Sequence, residues 1–371
     1  MRISRRRFLA TVGAGVTLGG AGCVGDEGAT AGGGSEPDSS TGTSTASMAT
    51  DRNDGSEPPT TDSRLHLDYE IGTLEENIVS GGVPKDGIPA IDDPTFADTP
   101  PDGLAPDDPV FGVVRNGEAK AYPQYILVHH EIVNDTIAGD PVAVTYCPLT
   151  GTAQGFERGP VEFGVSGRLV NSNLTMYDRG TDSWWPQMLA TAITGPLTGE
   201  SLREFRVIWT TWSRWSSAYP ETRILTEDTG FSRRYGVDPY GQYNEKRGYY
   251  SSTRTLFEPL HSDSRAHPKA VVIGTRTETG GLAFDKETLL RQRVLTGRID
   301  DTPYVAVADT DLASGYVYAN PESMSVAASD DGYMIDGTAY DADSLPLDRT
   351  LSFDAMWFAW AGFYPESGYV N

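Results

Sequence analysis

The sequence predicts a mainly β fold of the α+β class, a tandem duplication of one β-sheet repeat in which each copy is closed by a short aromatic-rich helix. Three observations predict it. Phe111-Gly-Val-Val-Arg-Asn-Gly-Glu-Ala-Lys-Ala-Tyr122 aligns with Ile273-Gly-Thr-Arg-Thr-Glu-Thr-Gly-Gly-Leu-Ala-Phe284 at an offset of 162, pairing Gly112 with Gly274 and Tyr122 with Phe284. Trp212-Ser-Arg-Trp215-Ser-Ser-Ala-Tyr219-Pro-Glu221 matches Trp357-Phe-Ala-Trp360-Ala-Gly-Phe-Tyr364-Pro-Glu366 at an offset of 145, so the second copy is 17 residues shorter in between. Two matched ends in one order make chance a poor explanation. Between them, short β-prone segments alternate with Gly, Pro and Asn turns.

Taken in order, Phe111 to Tyr122 alternates around Asn116-Gly117, the strongest short hairpin signal. Pro141 to Tyr146, Ala153 to Glu157, Val161 to Val165 and Leu174 to Tyr177 read as further strands, with Gly164 to Gly167 and Gly195-Pro196 as turn residues. Trp212, Trp215 and Tyr219 recur at i, i+3 and i+7, one face of a helix that Pro220 stops. Such a stripe reads as core packed on the sheet, with an aromatic ligand platform as the alternative. In the second copy Gly274 to Phe284 turns through Gly280-Gly281.

The domain plan follows. Ser4-Arg-Arg-Arg-Phe-Leu-Ala10 is a twin-arginine export signal, and Thr11 to Gly22 is too short and glycine-rich to span a bilayer. Gly20-Ala-Gly-Cys23 resembles a lipobox, so residues 1–23 predict export and a lipid anchor on Cys23 at the outer face of the cell membrane. Residues 24–63, almost free of aliphatic side chains, read as a disordered tether. Residues 64–107 form a lead-in, 108–226 the first repeat, 227–267 the connection and 268–371 the second, degenerate repeat.

Asp and Glu number 52 against 29 Lys and Arg, a formal charge of −23, and only five of the basic residues are lysine. That surface repels itself in dilute buffer and is relieved by concentrated salt, and it resembles the composition of haloarchaeal proteins. With no basic stripe to neutralise phosphates, nucleic acid is not an expected partner. There is no Walker loop, dinucleotide glycine fingerprint, His-Glu-x-x-His or serine elbow.

Chemistry centres on Cys147, in Val142-Ala-Val-Thr-Tyr-Cys-Pro-Leu-Thr-Gly-Thr-Ala153, the only cysteine left once Cys23 is assigned to the anchor. Pro148 interrupts strand pairing, and the N–H groups of Thr150, Gly151 and Thr152 would curl into a nest that stabilises a thiolate. His130 is the expected charge partner, with Glu131, Asn134 or Asp135 orienting its imidazole. His129 and His130, being adjacent, are expected to point apart. Cys147, His130 and Met176, with Tyr177 as a further ligand, are instead the donor set a copper ion would take. A third reading needs no cofactor: Cys147 is a small hydrophobe in the core. Asp178, Arg179 and Asp182 read as an ion pair or as contacts to a polar ligand.

His129-His130-Glu131-Ile-Val-Asn-Asp135, Val144-Thr-Tyr-Cys-Pro-Leu149, Gly167-Arg-Leu-Val-Asn-Ser-Asn-Leu-Thr-Met-Tyr-Asp-Arg179, Gly195-Pro-Leu197 and the closing Trp/Tyr-Pro-Glu helix together resemble the bacterial and archaeal family catalogued as domain of unknown function 3179. The resemblance covers roughly residues 65 to 371. It implies no activity, but it implies that a second cysteine, in some members a selenocysteine, often stands three positions after the first. This chain has Thr150 there. The expected protein is therefore an anchored extracytoplasmic one of uncharacterised activity with a thiol redox, acyl-transfer or metal site at Cys147/His130, or a non-catalytic ligand-binding or structural lipoprotein. Under the offset of 162, Cys147 aligns with Asp309, His130 with Gln292 and His129 with Arg291, so the second copy lacks these groups.

Overall fold

The computed structural model describes residues 56–371 except Glu245 and Asp331. The export signal, Cys23 and the tether as far as residue 55 lie outside the described residues. The tether's expected end at residue 63 moves forward. Thr60 bridges to Leu202, Thr61 N–H donates to the Ser201 carbonyl at 2.8 Å, and Pro58 is buried. Among the described residues no helix is long and apolar enough to cross a membrane.

The architecture is mainly β, in several sheets. The strands Pro109–Arg115 and Glu118–Pro123 form the hairpin expected around Asn116-Gly117, both of which have positive φ, as the two-residue turn of that type requires. Ile208–Thr211 adds antiparallel to the first strand and Arg223–Leu225 parallel to the second. After the short helix Gln124–Leu127 comes a meander, Ile132–Ile137, Asp140–Cys147 and Thr152–Glu157, in which Cys147 pairs with Thr152. Phe163–Val170, Asn173–Asp178 and Trp184–Pro186 build a further sheet. Its first strand runs through Gly164 to Gly167, which the sequence suggests as a turn. A bulge between Val165 and Arg168 takes the irregularity instead, with Gly167 at φ +71° against the Val83 carbonyl.

The second half is laid out alike. Val271–Arg276 and Gly281–Asp285 form a hairpin, flanked by antiparallel Ser352–Met356 and parallel Gly368–Val370. Between them lie the helix Lys286–Gln292 and the meander Val294–Ile299, Thr302–Asp309 and Ser314–Ala319.

The aromatic helices are Trp212–Ala218 and Trp357–Phe363. A Cβ on Gly112 would sit 2.2 Å from the Trp215 ring, and one on Gly274 2.0 Å from Trp360, so both glycines are required for close approach and not for their backbone angles. Each indole N–H donates at 2.9 Å to a hydroxyl seven residues on, Thr222 for Trp215 and Ser367 for Trp360. The stripe expected as core is only partly so in the first helix. Trp215 is buried, whereas Trp212 and Tyr219 are half-buried, because that helix lies at the surface. The helix Trp357–Phe363 is buried throughout and accepts a hydrogen bond from Asn171 Nδ2 on the Ala359 carbonyl at 2.8 Å. A buried ion pair also joins the halves, Arg276 to both Glu204 oxygens at 2.9 Å.

Candidate functional site

Cys147 ends its strand because Pro148 has no N–H to continue the ladder, and the turn closes at Gly151 with φ +58°. The side chain faces inward, 1 % exposed, among Ile132, Ala143, Leu149 and Leu174. Leu174 N–H donates to the sulfur at 3.3 Å, and the thiol donates weakly to the Ser172 carbonyl at 3.8 Å. Burial pushes the thiol up to about 11 and Glu131 adds to this, while hydrogen bonds from Thr150 and Leu174 work the other way. Thr150 therefore stands at the sulfur. Its hydroxyl is fixed 2.8 Å from that of Thr152 and accepts from Asn173 Nδ2 at 3.0 Å, and Gln187 continues this buried network through Thr152 and Thr145.

His130 does not partner Cys147. Its Nδ1 lies 2.8 Å from the Pro89 carbonyl, which only accepts, so Nδ1 carries the proton and Nε2 accepts from the Tyr235 hydroxyl at 2.8 Å. Burial, helped by Arg233 and His129 and opposed by the Pro89 bond, lowers its proton affinity to about 4, so the ring is neutral at neutral pH. Both ring nitrogens are occupied, one fastening Pro89 of the lead-in and the other Tyr235 of the connection. His129 and His130 do not point apart either. They lie in a turn, not in a helix or strand, and both rings flank Tyr235, with centroids 5.6 and 5.8 Å away.

Glu131 takes the place expected for His130. It caps the preceding helix in the left-handed region, φ +61°, its N–H donating to the Leu127 carbonyl at 2.7 Å and its carbonyl accepting from Tyr146 N–H at 2.7 Å. The side chain is 7 % exposed and has no hydrogen-bond or ion-pair partner among the described residues. Burial alone raises the carboxyl to about 8, so it is mostly protonated at neutral pH, and its charge when ionised works against that of the thiolate.

Met176 shares the Cys147 core, but the Tyr177 hydroxyl donates to Asp86 at 2.6 Å on the other face of that strand. Among the described residues no group of three or more His, Cys, Asp or Glu side chains is arranged to hold a metal ion. With His130 committed twice over, the expected copper donors Cys147, His130 and Met176 do not converge with free lone pairs. Asp178 accepts from Trp185 Nε1 at 3.0 Å, Arg179 pairs with Asp92 and Glu162, and Asp182 pairs with Lys85, so these are struts.

The residues that sequence reasoning misses come from elsewhere. Lys269 is 3 % exposed, and its Nζ has no hydrogen-bond partner. It sits 3.4 Å from the centroid of the Tyr249 ring and 4.3 Å from that of Phe358. Burial lowers the amine to about 7, and Cys147 acts in the opposite direction. Tyr240 and Tyr249 are raised by burial and then by Cys147 or Glu131, and the Tyr249 hydroxyl donates to the Leu149 carbonyl at 2.7 Å. The connection thus acts as a tyrosine-rich strap across the cysteine turn.

A family model described as protein of unknown function (DUF3179) matches residues 85–367. The chain belongs to this family. Comparison with curated proteins and with solved structures found no match. The DUF3179 match takes in Glu131, Cys147, Thr150, the strap and Lys269 alike, so the composite site lies wholly within the family's region. Lys269 lies in a turn before the strand that begins at Val271, and no sequence signal sets it apart from Lys120, which also stands among apolar neighbours.

Proposed function

We propose that this DUF3179 protein is an exported, lipid-anchored tandem duplication whose first half carries a buried nucleophilic thiol, Cys147, with Glu131 as its acid–base neighbour. The strand orders, the Trp-on-Gly contacts at Gly112 and Gly274, and the offsets of 162 and 145 that run through the pairing registers support the duplication. The twin-arginine run, Cys23 and the acidic composition support export, anchoring and a salty milieu.

One observation carries the thiol reading: a buried carboxyl without hydrogen-bond or ion-pair partners lies beside a sulfur that receives a backbone N–H. Burying such a carboxyl costs free energy, and uncompensated titratable groups gather where chemistry is done. In its ionised form Glu131 accepts the thiol proton, the N–H groups of Leu174 and Thr150 hold the thiolate, and the sulfur attacks an electrophilic centre. A second reading, a non-catalytic binding or structural lipoprotein with Cys147 in its core, is favoured by the 1 % exposure of that residue.

The test is modification of folded protein in molar salt by methyl methanethiosulfonate, a small neutral reagent, followed by peptide mapping at Cys147. Modification of the folded chain at pH 8, with the thiolate displacing methanesulfinate to leave a methyl disulfide, supports the nucleophile. Modification only after unfolding leaves the packing role.

A further inference from the structure

We propose that Lys120 and Asp135 condense with each other in the folded chain, joining two sheets of the first half by a side-chain amide, with Glu118 relaying the protons. The site is independent of Cys147 and of the nucleophile reading above.

The reacting groups are held together away from water. The strands Glu118–Pro123 and Ile132–Ile137 belong to different sheets and meet at this pair. Lys120 is 5 % exposed and Asp135 6 %. Nζ lies 3.0 Å from both carboxylate oxygens, and so opposite the Cγ it attacks. It also donates to the Thr136 carbonyl at 2.8 Å, while the buried Tyr122 hydroxyl donates to Asp135 Oδ2 at 2.6 Å. The Phe96 ring covers the amine, its centroid 4.2 Å from Nζ, and meets Tyr122 edge to face. A second carboxylate stands by: Glu118 Oε1 is 3.7 Å from Nζ, and Oε2 accepts from Ala138 N–H at 2.6 Å. Glu118 is partly exposed, which gives a released water its way out.

The fold does not require an ion pair at this place. Under the offset of 162, Lys120 and Asp135 correspond to Leu282 and Gly297, and Glu118 to Gly280. The second half keeps the close approach with apolar groups, since a Cβ on Gly297 would come within 2.8 Å of the Leu282 side chain. A buried ion pair carries the desolvation cost of two charges, which the apolar contact avoids. Condensation removes both charges. The other buried lysine–carboxylate pair, Lys286 with Asp354, has no second carboxylate at its amine among the described residues.

The step balances without an outside reagent. The ammonium first gives one proton to Asp135 Oδ1, leaving an amine and a carboxylic acid. The nitrogen lone pair forms the N–Cγ bond, and the carbonyl electrons move to Oδ2, where the Tyr122 hydroxyl donates. Glu118 takes a second proton from the nitrogen and delivers it to Oδ1. The Cγ–Oδ1 bond breaks, one water leaves, and nothing is oxidised or reduced. Fixed partners of this kind reach effective molarities of about 10⁵–10⁸ M, which offsets the poor leaving group.

Trypsin cuts after a free lysine and not after an acylated one, and between Lys120 and Arg158 the chain offers it no other site. The native full-length protein, unfolded and digested, is expected to give residues 116–158 as one peptide, lighter than its sequence by one water. Lys120→Arg cannot condense and is expected to give residues 116–120 and 121–158 at their sequence masses. Glu118→Gln keeps both reacting groups and is expected to form the link roughly a hundredfold more slowly, as read from the share of the single peptide over time. Native protein that yields the two shorter peptides at full mass overturns the inference. A peptide 121–158 lighter by one water, the mark of an aspartyl succinimide with Lys120 still free, overturns it too. A link formed as fast in E118Q as in native protein overturns the relay assigned to Glu118.

Discussion

The middle strands of the two meanders, Asp140–Cys147 and Thr302–Asp309, have equal length and pair at the same register with the next strand, Cys147 with Thr152 and Asp309 with Ser314. Each half also has a left-handed residue after its helix, Glu131 at φ +61° and Arg293 at φ +68°. Both make the same backbone contacts, to Leu127 and Tyr146 in one half and to Leu289 and Ala308 in the other. A strained cap at Glu131 is therefore a helix-ending device and no mark of chemistry. The side chains differ. Arg293 donates to the Ser329 and Gly332 carbonyls and stacks on Tyr333, and Asp309 accepts from Leu312 N–H at 2.9 Å. Their counterparts Glu131 and Cys147 are both buried. The second half ties these side chains to nearby backbone groups. The first buries a carboxyl and a thiol there instead.

The largest expected effect tests how the halves are joined. Arg276→Met strands Glu204 in the interior and should cost about 3–5 kcal/mol in thermal or denaturant unfolding, largely recovered in the double variant with Glu204→Leu. If the single variant is neutral, the pair does not lock the halves together. Next, Gly112→Ala and Gly274→Ala each force a methyl group into an indole ring and should each cost about 3 kcal/mol. A loss at one glycine without the other would break the equivalence of the two Trp-on-Gly contacts.

An effect confined to high pH separates Glu131 from Arg293. The Glu131 carboxyl is raised from 4.5 to about 8, so the stability linked to its protonation is fully present below pH 4.5 and is lost as pH rises through 8. Glu131→Gln should match native protein near pH 4.5 and exceed it by about 4 kcal/mol at pH 9, as read from melting curves in molar salt. Arg293→Gln should shift the whole curve without changing its slope. A Glu131→Gln curve parallel to the native one would mean that the acid is not held protonated.

Much of the framework was legible in the sequence because it is local or periodic. Asn116-Gly117 announces its hairpin, the strand candidates lie within a few residues of the observed ones, and the spacing of Trp215 and Trp360 marks two helices. Cys147 was legible as the odd residue between matched ends. Its partner was not. At a left-handed cap the direction of a side chain cannot be read from helical or strand spacing, so His130 was preferred to Glu131, and the adjacent rings of His129 and His130 converge on Tyr235. Tyr240 and Tyr249 pack against the core around the thiol from about a hundred residues away along a segment without periodicity, and only the folded chain brings them there.

Met356 N–H donates to the Thr150 carbonyl at 2.8 Å, and the helix that follows Met356 is buried throughout. The turn that carries Cys147 is therefore fastened from the second half, by a backbone hydrogen bond from a residue far along the chain. The order of the cysteine turn in the first half thus depends on a long-range contact, so loosening the second half should loosen that turn as well.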